Sequence, residues 1–204
     1  NIMEKVISKK SNEYKTKEFW ILKNIKLWIN KIQENCVWTI LKEDFSDAYI
    51  RQLIKSRPSI IELWPNQLKV IEGEDNFINN SKVKRTVINF PTSGGKSLIG
   101  ELAIIKELEK KEGIKCFYVV PTNALVYEVS KKLRERFRRL NYRVVNLLSG
   151  YDKGIETSDY KNSHVVVTTP EKLETIIRNN IEQKLLDDVE LIIFDEFHKI
   201  EDKD

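Results

Sequence analysis

The chain has seven glycines in 204 residues, and two adjacent ones stand directly before a Lys-Ser pair. The stretch reads Phe90-Pro91-Thr92-Ser93-Gly94-Gly95-Lys96-Ser97. An apolar, β-branched run (Thr86 to Asn89) precedes it, and a helical pattern from Leu98 to Lys111 follows. A strand, glycine-rich loop and helix in that order turn backbone N–H groups towards a bound phosphate, and the helix N-terminus adds a favourable field. Pro91, Thr92, Ser93, Gly94 and Gly95 would line that cradle. Lys96 would reach the β- and γ-phosphates of a bound nucleotide, and the Ser97 hydroxyl would ligate Mg²⁺. The strict pattern carries a glycine five places before the Gly-Lys pair, where this chain has Phe90. The competing reading is an ordinary turn with an exposed lysine.

A second chemical feature lies near the other end. Leu191-Ile192-Ile193-Phe194 runs straight into Asp195-Glu196-Phe197-His198. An apolar strand ending in two carboxylates places them at its C-terminal edge, where open α/β sheets bind ligands. Asp195 is the right kind of group to hold Mg²⁺. Glu196 would orient and polarise an attacking water, and His198 would link the site to another surface. A solvated acidic turn competes with this reading, since Glu201, Asp202 and Asp204 follow.

The elements that must position these groups change rhythm along the chain. The first sixty residues contain no glycine, and all four tryptophans (Trp20, Trp28, Trp38, Trp64) fall at or before residue 64. Phe19, Leu22, Ile25, Trp28, Ile29 and Ile32 recur at three- and four-residue steps, which predicts an amphipathic helix with its tryptophans in a core. A second helix is expected from Asp44 or Ser46 through Ile54. Residues 1–60 therefore read as a helical N-terminal extension. Residues 61–204 alternate instead. Strands are expected at Thr86–Asn89, Cys116–Val120, Val144–Val145, Val165–Val167 and Leu191–Phe194, with helices at Leu98–Lys111, Ala124–Leu140 and Glu171–Leu186. That alternation predicts an α/β fold, a mainly parallel sheet with helices on both faces. Pro91, Pro121, Gly150, Pro170 and Asp195 each follow an apolar run, so all would lie along one edge of the sheet.

Composition narrows the function classes. Hydrophobic residues make up 41% and charged residues 32%, enough apolar material for a core and against a disordered chain. The longest apolar runs are far too short to span a bilayer, and the start, Asn1 to Lys17, lacks an apolar signal core. Cys36 and Cys116 lie far apart without metal-type spacing, which disfavours a disulfide scaffold or zinc module and favours a reducing compartment, the cytoplasm or nucleus. The formal charge of +4 permits a nucleic-acid partner without arguing for one. The basic run around Lys131, Arg134, Arg136 and Arg139 reads first as a solvated helix face. The lysine-rich start reads as a frayed tail or a further nucleic-acid contact.

The acidic box Asp195-Glu196-Phe197-His198 resembles the D-E-x-H box of superfamily 2 helicases. Pro91-Thr92-Ser93-Gly94-Gly95-Lys96-Ser97 resembles the P-T-S-A-G-K-T loop of their superkiller-like branch, with Ser97 keeping the hydroxyl that threonine supplies there. Val120-Pro121-Thr122-Asn123-Ala124-Leu125 resembles motif Ia, where the family often carries Arg at the Asn123 position. Ser149-Gly150 resembles its glycine turn, and Thr168-Thr169-Pro170-Glu171-Lys172 its motif Ib. Trp64-Pro65-Asn66-Gln67 resembles the Q motif. The resemblance covers roughly Trp64 to His198. It implies the first RecA-like lobe of a DExH-type helicase using ATP and Mg²⁺. Gln67 would then read the adenine. Pro121, Thr122, Asn123, Gly150, Thr169, Pro170 and Glu171 would hold the backbone of one DNA or RNA strand.

The length leaves room for one such lobe and the extension, so the second RecA-like lobe is expected outside these residues. A protein partner on the N-terminal helices is a further expectation. The lobe alone would bind ATP weakly and hydrolyse it very slowly. Two other classes stay open: a phosphate-loop enzyme of kinase or transporter type, and a non-hydrolysing nucleic-acid or partner-binding module. DNA against RNA, and the direction of movement, are equally open.

Overall fold

In a computed structural model of the chain, residues 17–73, 80, 83–91, 94–148, 158–183 and 185–196 are described. Four short or medium helices come first: α1 (Lys17–Glu34), α2 (Val37–Leu41), α3 (Asp47–Lys55) and α4 (Pro65–Glu72). Then follow α5 (Lys96–Lys110), β1 (Lys115–Val119), α6 (Asn123–Phe137), β2 (Val144–Leu147), α7 (Ser158–Lys161), β3 (Val165–Thr168), α8 (Pro170–Gln183) and β4 (Val189–Phe194). Local chemistry sets several boundaries. The Ser46 hydroxyl accepts from Tyr49 N at 3.3 Å and caps α3. The Thr122 hydroxyl accepts from Leu125 N at 3.3 Å and caps α6. Pro65 and Pro170 open α4 and α8, where a missing N–H costs nothing.

The four strands form one parallel sheet in the order β2-β3-β1-β4. Val165–Val167 on β3 and Cys116–Val119 on β1 are fully buried, as strands covered on both faces must be. Period-two alternation divides β1 between two cores. Cys116, Tyr118 and Val120 pack with α5 and α6 on one face. Phe117 and Val119 pack with Tyr160 of α7 and Leu173 and Ile176 of α8 on the other. Helices on both faces of a parallel sheet are what the sequence alternation requires. Val37, Leu41, Tyr49, Ile50 and Leu53 of α2 and α3 join the α5 core, so this part of the extension packs against the sheet layer.

Two expectations are corrected. Residues 83–90 carry no strand assignment, so the run Thr86–Asn89 does not join the sheet. Ile88 and Phe90 pack against the core, but Val87 is 95% exposed, and a central strand needs both faces covered. Among the described residues β4 is accordingly an edge strand, with Ile192 and Phe194 exposed. The second correction concerns α1. It is a helix, but it buries none of its residues, and Trp20 and Trp28 are exposed rather than in a core. Its apolar stripe finds no covering element among the described residues.

Candidate nucleotide site at the sheet edge

α5 begins at Lys96, immediately after Gly95. Gly95 adopts φ 80°, a left-handed conformation that glycine reaches without the Cβ penalty. A Cβ there would also overlap Gln67 Nε2 and come within 3.4 Å of Trp64 Cε3. Gln67 is buried and uses both ends of its amide. Its Oε1 accepts from Trp64 N at 2.8 Å, and its Nε2 donates to Gly95 O at 3.0 Å. The glutamine thus ties the start of α4 to the glycine loop. Gly94 is buried, and its N–H closes a turn onto Pro91 O at 2.9 Å. Lys96 Nζ donates to Phe90 O at 3.4 Å, so Phe90 serves the site through its carbonyl.

β4 delivers the carboxylates. Asp195 N donates to Val119 O at 2.9 Å, extending the β1 ladder one step beyond the strand. Glu196 N donates to Asp195 Oδ1 at 2.9 Å. Tyr118 Oη donates to Asp195 Oδ2 at 2.7 Å. Burial first, and the Asp195 charge second, push the Tyr118 hydroxyl well above its ordinary range, so it stays protonated and remains a donor. Ser97 stands beside the Tyr118 hydroxyl and pulls its pKa slightly the other way. Glu196 adopts φ 53°, a conformation that costs a non-glycine residue on the order of 1 kcal/mol. It turns the chain sharply at the end of the strand.

The other candidate residues line the same edge. Pro121, Thr122 and Asn123 stand between β1 and α6, with Thr122 and Asn123 exposed. Thr169, Pro170 and Glu171 stand between β3 and α8. Thr169 is buried, and its hydroxyl accepts from Lys172 N at 3.4 Å, so it shapes the helix start. Glu171 is exposed in the first turn of α8. The structure therefore brings Gln67, Gly94, Gly95, Lys96, Ser97, Asp195 and Glu196 to one place, with the two helix starts after β1 and β3 along the same edge. Thr92, Ser93, Gly150 and His198 lie outside the described residues.

Sequence reasoning missed Tyr118 and the buried ion pair below it. Tyr118 had a signal, a hydroxyl within the apolar run Cys116–Val120. Glu101 on α5 is buried, accepts from Tyr49 Oη at 3.1 Å and pairs with Arg136 Nε at 3.4 Å. Arg136, expected on a solvated face, is an exception on its helix, with 18% of its side chain exposed. The rest of the basic run behaves as expected: Lys131, Lys132, Arg138 and Arg139 are exposed. Cys36 and Cys116 are free thiols.

A parallel sheet whose C-terminal edge carries a glycine-rich helix start and a strand-end carboxylate defines a phosphate-loop nucleotide-binding lobe of RecA-like type. The chain belongs to the DEAD/DEAH box helicase family, whose profile matches residues 64–204. It is 28% identical over 188 residues to the Hachiman protein HamB of Bacillus cereus, covering 89% of this chain and 16% of that protein. It is 33% identical over 151 residues to the ATP-dependent DNA helicase Hel308 of Methanocaldococcus jannaschii, covering 71% of this chain and 12% of the relative. The ATP-dependent DNA helicase MER3 of Saccharomyces cerevisiae is 28% identical over 184 residues, 87% of this chain and 14% of its own length. The superkiller-like resemblance read from the motifs is borne out by these relatives. The chain thus spans less than a fifth of each of these relatives. The fold is shared with the DUF1998 helicase MrfA in a crystal structure bound to DNA and AMPPNP, at a TM-score of 0.64 and 22% identity, over 77% of this chain and 22% of that one. Among the described residues, no helix is long and apolar enough to cross a membrane.

Proposed function

We propose that residues 61–204 are the ATP-binding first lobe of a nucleic-acid-dependent ATPase that couples hydrolysis to translocation along, or unwinding of, DNA or RNA. Residues 1–60 are its helical extension, and it works in the cytoplasm or nucleus. One observation carries the reading: the strand-end carboxylate Asp195, held by the Tyr118 hydroxyl, lies beside the start of α5 that bears Lys96 and Ser97.

The N–H groups of Gly95, Lys96 and Ser97 present a positive helix end to the phosphates. Lys96 donates to the Phe90 carbonyl, which it would leave when a phosphate takes its amine. Gln67 and Trp64 flank the loop on the side where the adenine would lie. The oxygens of Ser97 and Asp195 fit Mg²⁺, a hard cation that takes one or two protein oxygens and fills its other positions with water and phosphate. When bound, Mg²⁺ would neutralise charge on the β- and γ-phosphate oxygens. Glu196 orients the attacking water and accepts its proton. His198 connects this site to the nucleic-acid track, where Pro121, Thr122, Asn123, Gly150, Thr169, Pro170 and Glu171 hold phosphates and sugars without reading bases. A second lobe supplies arginine across the cleft, a contribution of ~10³–10⁵ in rate at related phosphoryl-transfer sites.

The test is Lys96→Ala in the two-lobe protein, read as nucleic-acid-stimulated ATP turnover. Stimulated turnover is expected to vanish. Normal stimulated turnover in that variant would refute the reading.

A further inference from the structure

Tyr118 lies on the α5 side of β1, directly opposite Ile193 of β4. Its ring is almost fully buried, and its hydroxyl emerges between Ser97 and Asp195. A phenylalanine would fill the same space without a polar atom, so the hydroxyl is not there for packing. Burying a hydroxyl is favourable only when it is bonded, and here it donates to Asp195, beside Ser97.

Opposite the ring, α5 carries Gly100. A Cβ there would lie 3.2 Å from Tyr118 Cε2, 3.7 Å from its Oη and 3.6 Å from Ile193 Cδ1. A glycine inside a helix costs roughly 0.5–1 kcal/mol relative to alanine. Its gap is shaped to the edge of the Tyr118 ring. Asp195 Oδ1 is held by Glu196 N at 2.9 Å and Oδ2 by Tyr118 at 2.7 Å, so the carboxylate plane is fixed from both ends.

We propose that Tyr118 is the positioning residue of the metal-nucleotide site: its hydroxyl locks the Asp195 carboxylate in place at the start of α5, and Gly100 provides the room. The inference rests on the reading of Ser97 and Asp195 as the Mg²⁺ side of an ATP site. Tyr118 acts through Asp195 and touches neither phosphate nor water itself. Partners of this kind, which orient the groups that hold a metal, typically change metal affinity about 10–100-fold when removed.

The experiment measures the affinity of a fluorescent ATP analogue for the chain in Mg²⁺ and in EDTA, and Mn²⁺ binding to the nucleotide complex by electron paramagnetic resonance. In Tyr118→Phe the ring and packing stay. The Mg²⁺-dependent gain in affinity and the Mn²⁺ affinity are expected to fall about tenfold or more, with binding in EDTA unchanged. Gly100→Ala is expected to produce a similar loss in the parent chain and little further loss in Tyr118→Phe, because the displaced bond is already absent. An unchanged Mg²⁺ dependence in Tyr118→Phe overturns the proposal and leaves the ATP site standing. Equal loss in Mg²⁺ and EDTA overturns it as well, since that marks general destabilisation. A parent chain whose nucleotide affinity ignores Mg²⁺ overturns both this inference and the reading beneath it.

Discussion

Glu101→Gln tests whether the helix that carries Lys96 is anchored by a buried acid. Glu101 meets Tyr49 of α3 and Arg136 of α6. Burial pushes its carboxyl from 4.5 up to about 7, while Arg136 and the Tyr49 hydrogen bond pull the other way. The folded state therefore holds the proton more tightly than the unfolded chain between pH 4.5 and about 7. Stability falls as pH rises through that window, because the unfolded chain binds fewer protons there. A shift of that size corresponds to ~3 kcal/mol once Glu101 is ionised. Glutamine keeps the shape and an acceptor for Tyr49 but never ionises. Urea unfolding of both chains, followed by tryptophan fluorescence at about pH 5 and about pH 8, gives two stability differences, and glutamine should gain roughly 2–3 kcal/mol on the parent between them. Other titrating groups cancel in this comparison. A stability difference that stays constant within about 0.5 kcal/mol would refute the reasoning, for Glu101 would then be solvated or fully compensated by Arg136. Arg136 Nη1 finds no acceptor among the described residues, which argues against full compensation.

Two further outcomes follow from the same geometry. Gly95→Ala places a Cβ against Gln67 Nε2 at φ 80°, so it should lower stability by about 1–2 kcal/mol and weaken nucleotide binding, both readable by thermal shift with and without ATP. Ser46→Ala removes the cap on Tyr49 N and the bond to Glu109 Oε1 at 2.5 Å; a loss of about 1 kcal/mol in urea unfolding is expected, with nucleotide affinity unchanged because the site lies at the other end of α5.

What was legible in the sequence was local. The glycine pair before Lys96, the acidic strand end, and the Pro-Thr step after β1 and Thr-Pro step after β3 are runs of neighbours, and the last three land where strand polarity requires. The alternation of β-branched runs with helical stretches carried the parallel sheet for the same reason. Pairing is not local, and there the sequence misled. Thr86–Asn89 has the composition of a strand, yet whether it pairs depends on what covers Val87. The stripe on α1 has a helical period, but a period cannot say whether another surface meets it. The ties of Glu101 were hidden because its partner Tyr49 lies 52 positions away. Arg136 was hidden differently, inside a charge run whose other members are exposed.

These corrections change how the site is understood to be held. Among the described residues no paired strand leads into Gly94 and Gly95, and the support they show comes from the helix side. Ile99, Leu102, Ile104 and Ile105 of α5 are fully buried, and Glu101 pins the same helix to α3 and α6. Gln67 adds a clamp on Gly95 from α4. Asp195 depends likewise on β1, through Val119 O and Tyr118, although it follows β4. Ser97 and Asp195 therefore share one support, the α5–β1 layer. Groups that must be aligned to within about half an ångström are best placed on rigid elements with locked neighbours. The left-handed residues Gly95 and Glu196 sit at the two points where that layer hands over to loops.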